Sequence, residues 1–553
     1  MRSIGAGANL VRQHIPDSLR RAAHVIAAQA SPCDELVIRS QPAGAGRPCQ
    51  RKRLALAATI LGSSMAFIDG SVVNVALPSI QSELGASVAA MQWVVDAYLL
   101  FLGSLVLVGG AMGDKLGRRN VFIAGIALFA LASIACALAP HAGSLIAARA
   151  VQGIGAALLV PSSLAIIGAV FSGEERGRAI GTWAGIGAIT SAIGPVAGGW
   201  LVDAFSWRAI FFINVPLAIA TSVLAVWSVP NSRDPDASQQ LDWLGAATAA
   251  AGLGAFAFGL TEAPTHGLGH PLVLGAIGAG VLVLAAFMAI EANSRNPMMP
   301  LDVFRSRDFT GANLVTLLLY FGLGGALFFL PFTLIRAHGY TATEAGAALL
   351  PVPVIIGLLS RLTGGWTSRY GPRWLLTVGP GIAGIGFGML AVLSVRGSYW
   401  ASLFPALAVL GLGMTITVAP LTATVMGSVP GERAGVASGI NNAVARVASL
   451  LAVAVLGIVF LWTHHATLAA RLDQLHVPQD ARRSGQLLEP NAQSMAPPGA
   501  AHMPPGTPLA RAEAEAIAEA LRAVALVCAA CAFAGAGLAA VTIRPGTYPS
   551  STS

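Results

Sequence analysis

Fourteen stretches of this chain are apolar for long enough to cross a lipid bilayer, and this excludes nearly every soluble fold. They fall at about 54–80, 91–112, 119–139, 143–170, 177–203, 208–230, 241–261, 271–292, 309–336, 342–368, 373–395, 399–427, 433–463 and 516–542. Most run for roughly 20 to 28 residues, enough to span a hydrocarbon core of about 30 Å at 1.5 Å rise per residue. Only 10% of the 553 residues are charged, against roughly 25% in soluble domains. The fold class expected is an all-α membrane protein of about fourteen transmembrane helices, here called spans 1 to 14.

The loops alternate in charge. Lys115, Arg118 and Arg119 follow span 2, Arg176 and Arg178 follow span 4, and Arg233 follows span 6. Arg295, Arg305 and Arg307 follow span 8, Arg369 and Arg373 span 10, Arg433 span 12 and Arg544 span 14. The other loops are short and nearly free of Lys and Arg, apart from the last. The positive-inside rule therefore places both termini in the cytoplasm. The net charge of +8 is read as this topology signal and not as a nucleic-acid surface.

Residues 1–53 are basic and irregular, with no apolar stretch before Leu54, and read as a disordered cytoplasmic tail or as sequence upstream of the true start. The last outer loop, about 464–515, holds a Pro-rich stretch and an Ala/Glu-rich helical run from Leu509 to Leu521. It reads as a lid, a partner surface or a plain spacer. Residues 546–553 form a C-terminal tail.

An internal repeat relates the halves. Gly110, Gly117 and Arg119 in GAMGDKLGRR recur in spacing as Gly364, Gly371 and Arg373 in GGWTSRYGPR. This fits two six-helix bundles, 54–230 and 309–545, with 231–308 holding an inserted two-helix hairpin and its linkers.

Ionisable residues inside the bilayer cost roughly 2.5–3.5 kcal/mol each on insertion scales and mark function by default. Asp69 in span 1 lies about 8 Å from the outer edge of the core, and Arg149 in span 4 about 9 Å deep. Asp96 in span 2 sits at a similar depth, so the three are expected in one layer. The functional reading is a proton switch, a carboxylate facing a cavity and tuned by a nearby Arg. The structural alternative is a permanent Asp–Arg pair that holds helices together. Arg446 in span 13 lies near mid-membrane and either orients helices or lines the cavity. In the loop after span 2, Gly117 permits a turn closed to other residues, and Asp114 with Arg118 and Arg119 can latch two bundles in one state. In span 5, Gly194, Pro195, Gly198 and Gly199 offer a close-packing face where one bundle can meet the other.

The remaining polar motifs point nowhere stronger. Only two lysines occur, Lys52 and Lys115, and neither lies in a phosphate-binding loop. Cys528 and Cys531 sit inside an apolar helix and read as packing residues. No nucleophile elbow or HExxH is present, and His266 with His270 in a Gly-rich loop is a poor metal site.

Taken in order, these segments resemble the major facilitator superfamily, specifically its fourteen-span drug:proton antiporter branch of multidrug exporters. The resemblance covers about 54–545. It rests on Gly110, Asp114, Gly117, Arg118 and Arg119 after span 2, and on Arg149, Gln152 and Gly153 in span 4. In span 5 it rests on Gly181, Gly194, Pro195, Gly198 and Gly199, with Thr190 where Gly is usual. DGSVVNVALP (Asp69, Asn74, Pro78) and SWRAIFFINVP (Trp207, Arg208, Asn214, Pro216) also match. Ser368 replaces the Asp of the repeated loop, which weakens a latch there.

The resemblance implies alternating access between two rocking bundles. It implies export of apolar or cationic compounds in exchange for protons, with no cofactor beyond the proton gradient. Arg149 then serves coupling, the span 5 motif limits leak, and Asp69 binds a proton or a cationic substrate. The expected setting is a bacterial inner membrane, a view the Arg-over-Lys bias of a GC-rich genome supports. The partners implied are lipid, protons and a small molecule. Some members of the branch add a periplasmic adaptor, and the residues leave that open. Rival readings are transport of one metabolite in either direction, or a membrane sensor or scaffold that transports nothing.

Overall fold

The computed structural model describes residues 51–545, except 172, 234–241, 295–296, 298, 393–397, 430–433 and 476–506. Most of the basic tail, the Pro-rich stretch up to residue 506 and the C-terminal tail lie outside the described residues. The protein is all-helical, as lipid demands of a chain that must satisfy its backbone within each segment. Spans 1 to 4 are Lys52–Leu84, Val88–Leu116, Arg118–Ala137 and Ala142–Val170. Spans 5 to 8 are Gly173–Ala204, Ala209–Ser228 with a one-residue break at Ile213, Trp243–His266 and Pro271–Asn293. Span 9 is Arg307–His338, span 10 joins Ala342–Ala348 to Pro351–Tyr370, and spans 11 and 12 are Pro372–Leu390 and Leu403–Gly427. Spans 13 and 14 are Ala434–Gln474 and Pro508–Thr542.

Local sequence sets the helix ends. Ser87 accepts from Ala90 N at 2.8 Å and caps span 2. His141 with Ser144, and Thr341 with Glu344, form reciprocal capping boxes at spans 4 and 10.

Span 4 packs on spans 2 and 3, and span 1 on spans 5 and 6. Span 9 packs on spans 13 and 14, and span 11 on spans 12 and 14. Backbones approach closely where glycine allows. A Cβ on Gly109 would lie 2.0 Å from Ala157 O, and one on Gly153 2.5 Å from Tyr98 O.

Spans 1–6 meet spans 9–14 chiefly where 5 packs on 10, 2 on 13 and 1 on 9. On the side expected to be outer, Asp203 accepts hydrogen bonds from Ala342 N, Thr343 N and Thr343 Oγ1 at 3.2, 2.8 and 2.5 Å. Arg336 reaches Pro78 O and Gln81 Oε1 at 3.5 Å. Span 7 also packs on both span 2 and span 13. Leu100, Ala257 and Leu450, one from each of the three helices, are buried together there.

Within the expected outer segment of 464–515, the helix of span 13 continues to Gln474, and the helical run expected from Leu509 to Leu521 belongs to the helix of span 14, which begins at Pro508. The two extensions pack as a pair through Leu468, Leu472, Ala512 and Ala516. His464 meets Glu513 at 3.1 Å and Arg471 meets Glu515 at 3.1 Å. Apolar residues one helical turn apart among charges make an amphipathic stripe, which a hydropathy block averages away.

Candidate transport site

Span 1 brings Asp69 and span 4 brings Arg149 to one point inside spans 1–6. Arg149 Nη1 donates to Asp69 Oδ2 at 2.5 Å and to Gln152 Oε1 at 2.6 Å. Gln152 lies one turn along span 4, so both side chains share a face. Its Nε2 donates to Asp69 Oδ1 at 2.8 Å and to Ser133 Oγ of span 3 at 2.7 Å. Asn214 Nδ2 of span 6 adds a bond to the same hydroxyl at 3.1 Å. Arg149 Nε donates to Val94 O at 3.0 Å, and the guanidinium lies 4.3 Å from the Tyr98 ring centroid. Asp69, Gln152 and Ser133 are wholly buried and Arg149 is 1% exposed.

This arrangement differs from a carboxylate that faces open water. Both oxygens of Asp69 accept hydrogen bonds, and Arg149 is neutralised without leaving the bundle. A charge in so dry a place is tolerable only when paired and hydrogen-bonded. Separating the pair would leave two buried charges uncompensated, at a cost of roughly 3–5 kcal/mol.

Asp96, expected at a similar depth, makes no hydrogen bond to this cluster among the described residues. The Val94 carbonyl and the Tyr98 ring meet Arg149, whereas at 100° per residue Asp96 falls on the face of span 2 whose Gln92 and Gly103 meet span 13. It is wholly buried, and neither carboxylate oxygen has a hydrogen-bond partner among the described residues. Arg446 is half-buried and flanks Gly103 of span 2, where a Cβ would sit 3.2 Å from its own Cβ.

The loop after span 2 is knotted within spans 1–6. Asp114 Oδ1 accepts from Arg118 Nε and Nη2, both at 2.8 Å. Arg118 Nη1 reaches Ala165 O of span 4 at 3.3 Å, and Arg119 Nη1 reaches Val229 O at 3.4 Å. Gly117 adopts φ 106° and ends span 2 while starting span 3. Gly110 lies against Pro161, 3.6 Å from where its Cβ would stand. Arg118 and Arg119 thus tie the loop to span 4 and to the end of span 6.

The span 5 motif faces two ways. Cβ atoms on Gly194 and Gly198 would meet Ser71 Oγ at 2.2 Å and Val72 Cγ2 at 1.8 Å, both on span 1. One on Gly199 would meet Ala342 O at 2.3 Å, and one on Gly346 would meet Pro195 O at 2.1 Å. Gly181 lies in the same helix. Near the end of span 1, Glu83 accepts from Trp207 Nε1 at 2.8 Å and pairs with Arg208.

Sequence reasoning missed Ser133, Asp203 and Gln92, the last of which donates from Nε2 to Val453 O of span 13. Ser133 is one small polar residue in an apolar helix. Asp203 stands at a helix end where a charge is unremarkable from sequence.

The sequence profile of the Major Facilitator Superfamily matches residues 59–453. The chain is 32% identical over 450 residues to the tetracenomycin C resistance and export protein of Streptomyces glaucescens, covering 81% of this chain and 83% of that one. It is 34% identical over 431 residues to the multidrug resistance protein Stp of Mycobacterium tuberculosis, covering 78% and 80%. Among solved structures, a bacterial homologue of the human lysosomal transporter Spinster, inward-facing and occupied, aligns with a TM-score of 0.59 at 17% identity, over 90% of this chain and 98% of that one.

Proposed function

Because the chain belongs to the major facilitator superfamily, we propose that it exports drug-like small molecules from a bacterial cell in exchange for protons. Export of drugs fits its relatives, a tetracenomycin exporter and a multidrug resistance protein. It is a multi-pass membrane transporter and not an enzyme. The observation that carries proton coupling is the sealed Asp69–Arg149–Gln152 cluster.

The reading is alternating access, with the bundles at 54–230 and 309–545 rocking about a central cavity and both termini in the cytoplasm. In the state described, the contacts of span 5 with span 10, and of span 1 with span 9, close the outer side. A proton delivered to Asp69 neutralises the carboxylate and frees Arg149 to reorganise, which loosens span 1 from span 4. Loss of the proton restores the pair. Binding of a cationic substrate and of a proton then compete through the same charge. An external adaptor protein stays compatible with this scheme, and the paired extensions of spans 13 and 14 give it a surface to meet.

The test is efflux of a lipophilic cationic dye from a drug-sensitive bacterium, with and without an uncoupler. Wild type should expel the dye, and the uncoupler should stop it. Asp69→Asn keeps an acceptor for Arg149 but cannot take up a proton, so efflux should vanish at equal membrane expression. Undiminished efflux by that variant would remove Asp69 from coupling. A wild type that moves no dye but moves one metabolite would favour the narrower transporter.

A further inference from the structure

The seam between spans 2 and 13 has a fixed register. Gln92 Nε2 donates to Val453 O at 2.9 Å, and a Cβ on Gly457 would strike that same nitrogen at 1.7 Å. Further along, Gly103 lies against Arg446, and a Cβ on Gly439 would lie 2.4 Å from Leu107 Cδ2. The helices are antiparallel, and residues 92, 96, 103 and 107 fall on one face at 100° per residue. Asp96 is therefore set between Gln92 and Gly103, opposite Leu450 to Val453. The third side is covered by span 7. A Cβ on Gly254 would lie 3.1 Å from Leu100 Cδ2, and the Trp93 and Phe258 ring centroids stand 6.3 Å apart.

The charged neighbours are occupied elsewhere or stand off. On span 4, Arg149 is committed to Asp69, Gln152 and Val94 O. On span 7, Glu262 is paired with His266 at 3.4 Å. On span 13, Arg446 lies at the level of Gly103, two turns from Asp96. Gln92 directs one N–H of its amide to Val453 O. No donor among the described residues reaches either oxygen of Asp96, which is wholly buried. A bare carboxylate in such a compartment is far more unfavourable than a neutral acid of the same shape.

We propose that Asp96 is a proton-binding site of the seam itself, so that spans 2 and 13 close over it only when its carboxyl carries a proton. This rests on the alternating-access reading above. When the outer side parts, the carboxyl meets water and releases its proton to the side from which it came. The proton is not carried across. It sets how readily the empty transporter closes its outer side, and an acidic exterior favours closure. Asp69 then couples transport, while Asp96 reports external pH to the conformational equilibrium.

The experiment measures a distance, so it stands even where no transported dye is found. The full chain is reconstituted in lipid nanodiscs after replacement of Cys33, Cys49, Cys136, Cys528 and Cys531. Spin labels are placed at Ser82 on span 1 and Ala466 on span 13. Their separation is read by double electron–electron resonance from pH 5.5 to 8.5. In wild type the ratio of open to closed should rise with pH, by up to about tenfold per unit, the limit for one proton. Asp96→Asn should stay closed throughout, and Asp96→Leu should agree with it if the amide disturbs packing. Glu83→Gln, at a half-exposed pair away from the seam, should keep the wild-type response. A flat wild-type profile, or a response that survives in both Asp96 variants, would overturn the proposal. A response lost in Asp69→Asn alone would move the sensor to the ion pair and overturn it equally.

Discussion

Two aspartates lie at similar depth in the same bundle, and their surroundings are opposite. Asp69 accepts hydrogen bonds at both oxygens and touches a guanidinium at 2.5 Å. Asp96 has no partner at either oxygen among the described residues. Both are wholly buried, so burial does not separate them. Position in the architecture does. Asp69 is enclosed by helices of spans 1–6, in a cluster that draws on spans 1, 3, 4 and 6. Asp96 lies where span 2 meets span 13, a seam that parts under the alternating access proposed above. A charge inside one bundle can be given partners on its own helices. A charge on a moving seam cannot hold permanent partners, and it changes its protonation with the seam instead.

The largest effect expected from breaking this contrast comes from Asp69→Ala. Arg149 cannot shed its charge, so the variant leaves a buried cation without its counter-ion. Removing one partner of a buried pair destabilises by roughly 3–5 kcal/mol. Thermal unfolding in detergent should show a large fall in midpoint or no recoverable monomer. Arg149→Met should be milder, because Asp69 can be neutralised by a proton and still accept from Gln152. Equal loss in the two variants would contradict the asymmetry.

The second test moves the seam without touching either aspartate. A side chain at Gly346 meets backbone, since its Cβ would lie 2.1 Å from Pro195 O. Gly346→Val should therefore hold spans 5 and 10 apart. Overpacking of about 1–3 kcal/mol corresponds to a shift of roughly five- to 150-fold toward the open state. The Ser82–Ala466 distance should lengthen at every pH, and Asp96 should then no longer govern it. A closed distance in this variant would show that the seam yields more readily than its backbone contact implies.

The two aspartates also show how far the sequence was legible. Lone charges in apolar blocks stand out, so Asp69, Arg149 and Asp96 are found without a structure. Gln152 and Asn214 are found through the motifs around them. Depth along a helix follows from counting residues, but depth is one coordinate only. The angular position of Asp96, away from Val94 and Tyr98, places it with span 13, and no count reveals which neighbour occupies which face. Ser133 gave no signal, because a serine in an apolar helix looks like any small packing residue. The fourteen helices were legible because lipid imposes length and polarity on each. The paired extensions of spans 13 and 14 lie beyond that constraint, and their stripe of Leu468, Leu472, Ala512 and Ala516 is too sparse for a hydropathy block.

Asp96→Leu sharpens the contrast from the other side. Replacing an unsatisfied buried carboxyl by an apolar group of similar size removes its desolvation penalty, worth about 1–3 kcal/mol. The variant should unfold at a higher temperature than wild type, in contrast to any removal of Asp69. A fall in midpoint comparable to that of Asp69→Ala would show that Asp96 has a partner that holds it.

The smallest effect belongs to a third carboxylate, which serves as the control. Glu83 pairs with Arg208 and accepts from Trp207, but it is 48% exposed and Arg208 is 31% exposed. Water already solvates both charges, so the pair contributes about 0–1 kcal/mol and weakens with salt. Glu83→Gln should shift the unfolding midpoint by no more than a degree or two, and less in high salt. The Ser82–Ala466 distance should keep its pH response, since Glu83 lies away from the span 2 and 13 seam. If Glu83→Gln instead removed that response, the pH sensor would be a wet ion pair near the end of span 1. The dry carboxyl of Asp96 would then be a passenger, and the distinction between bundle interior and moving seam would lose its functional meaning.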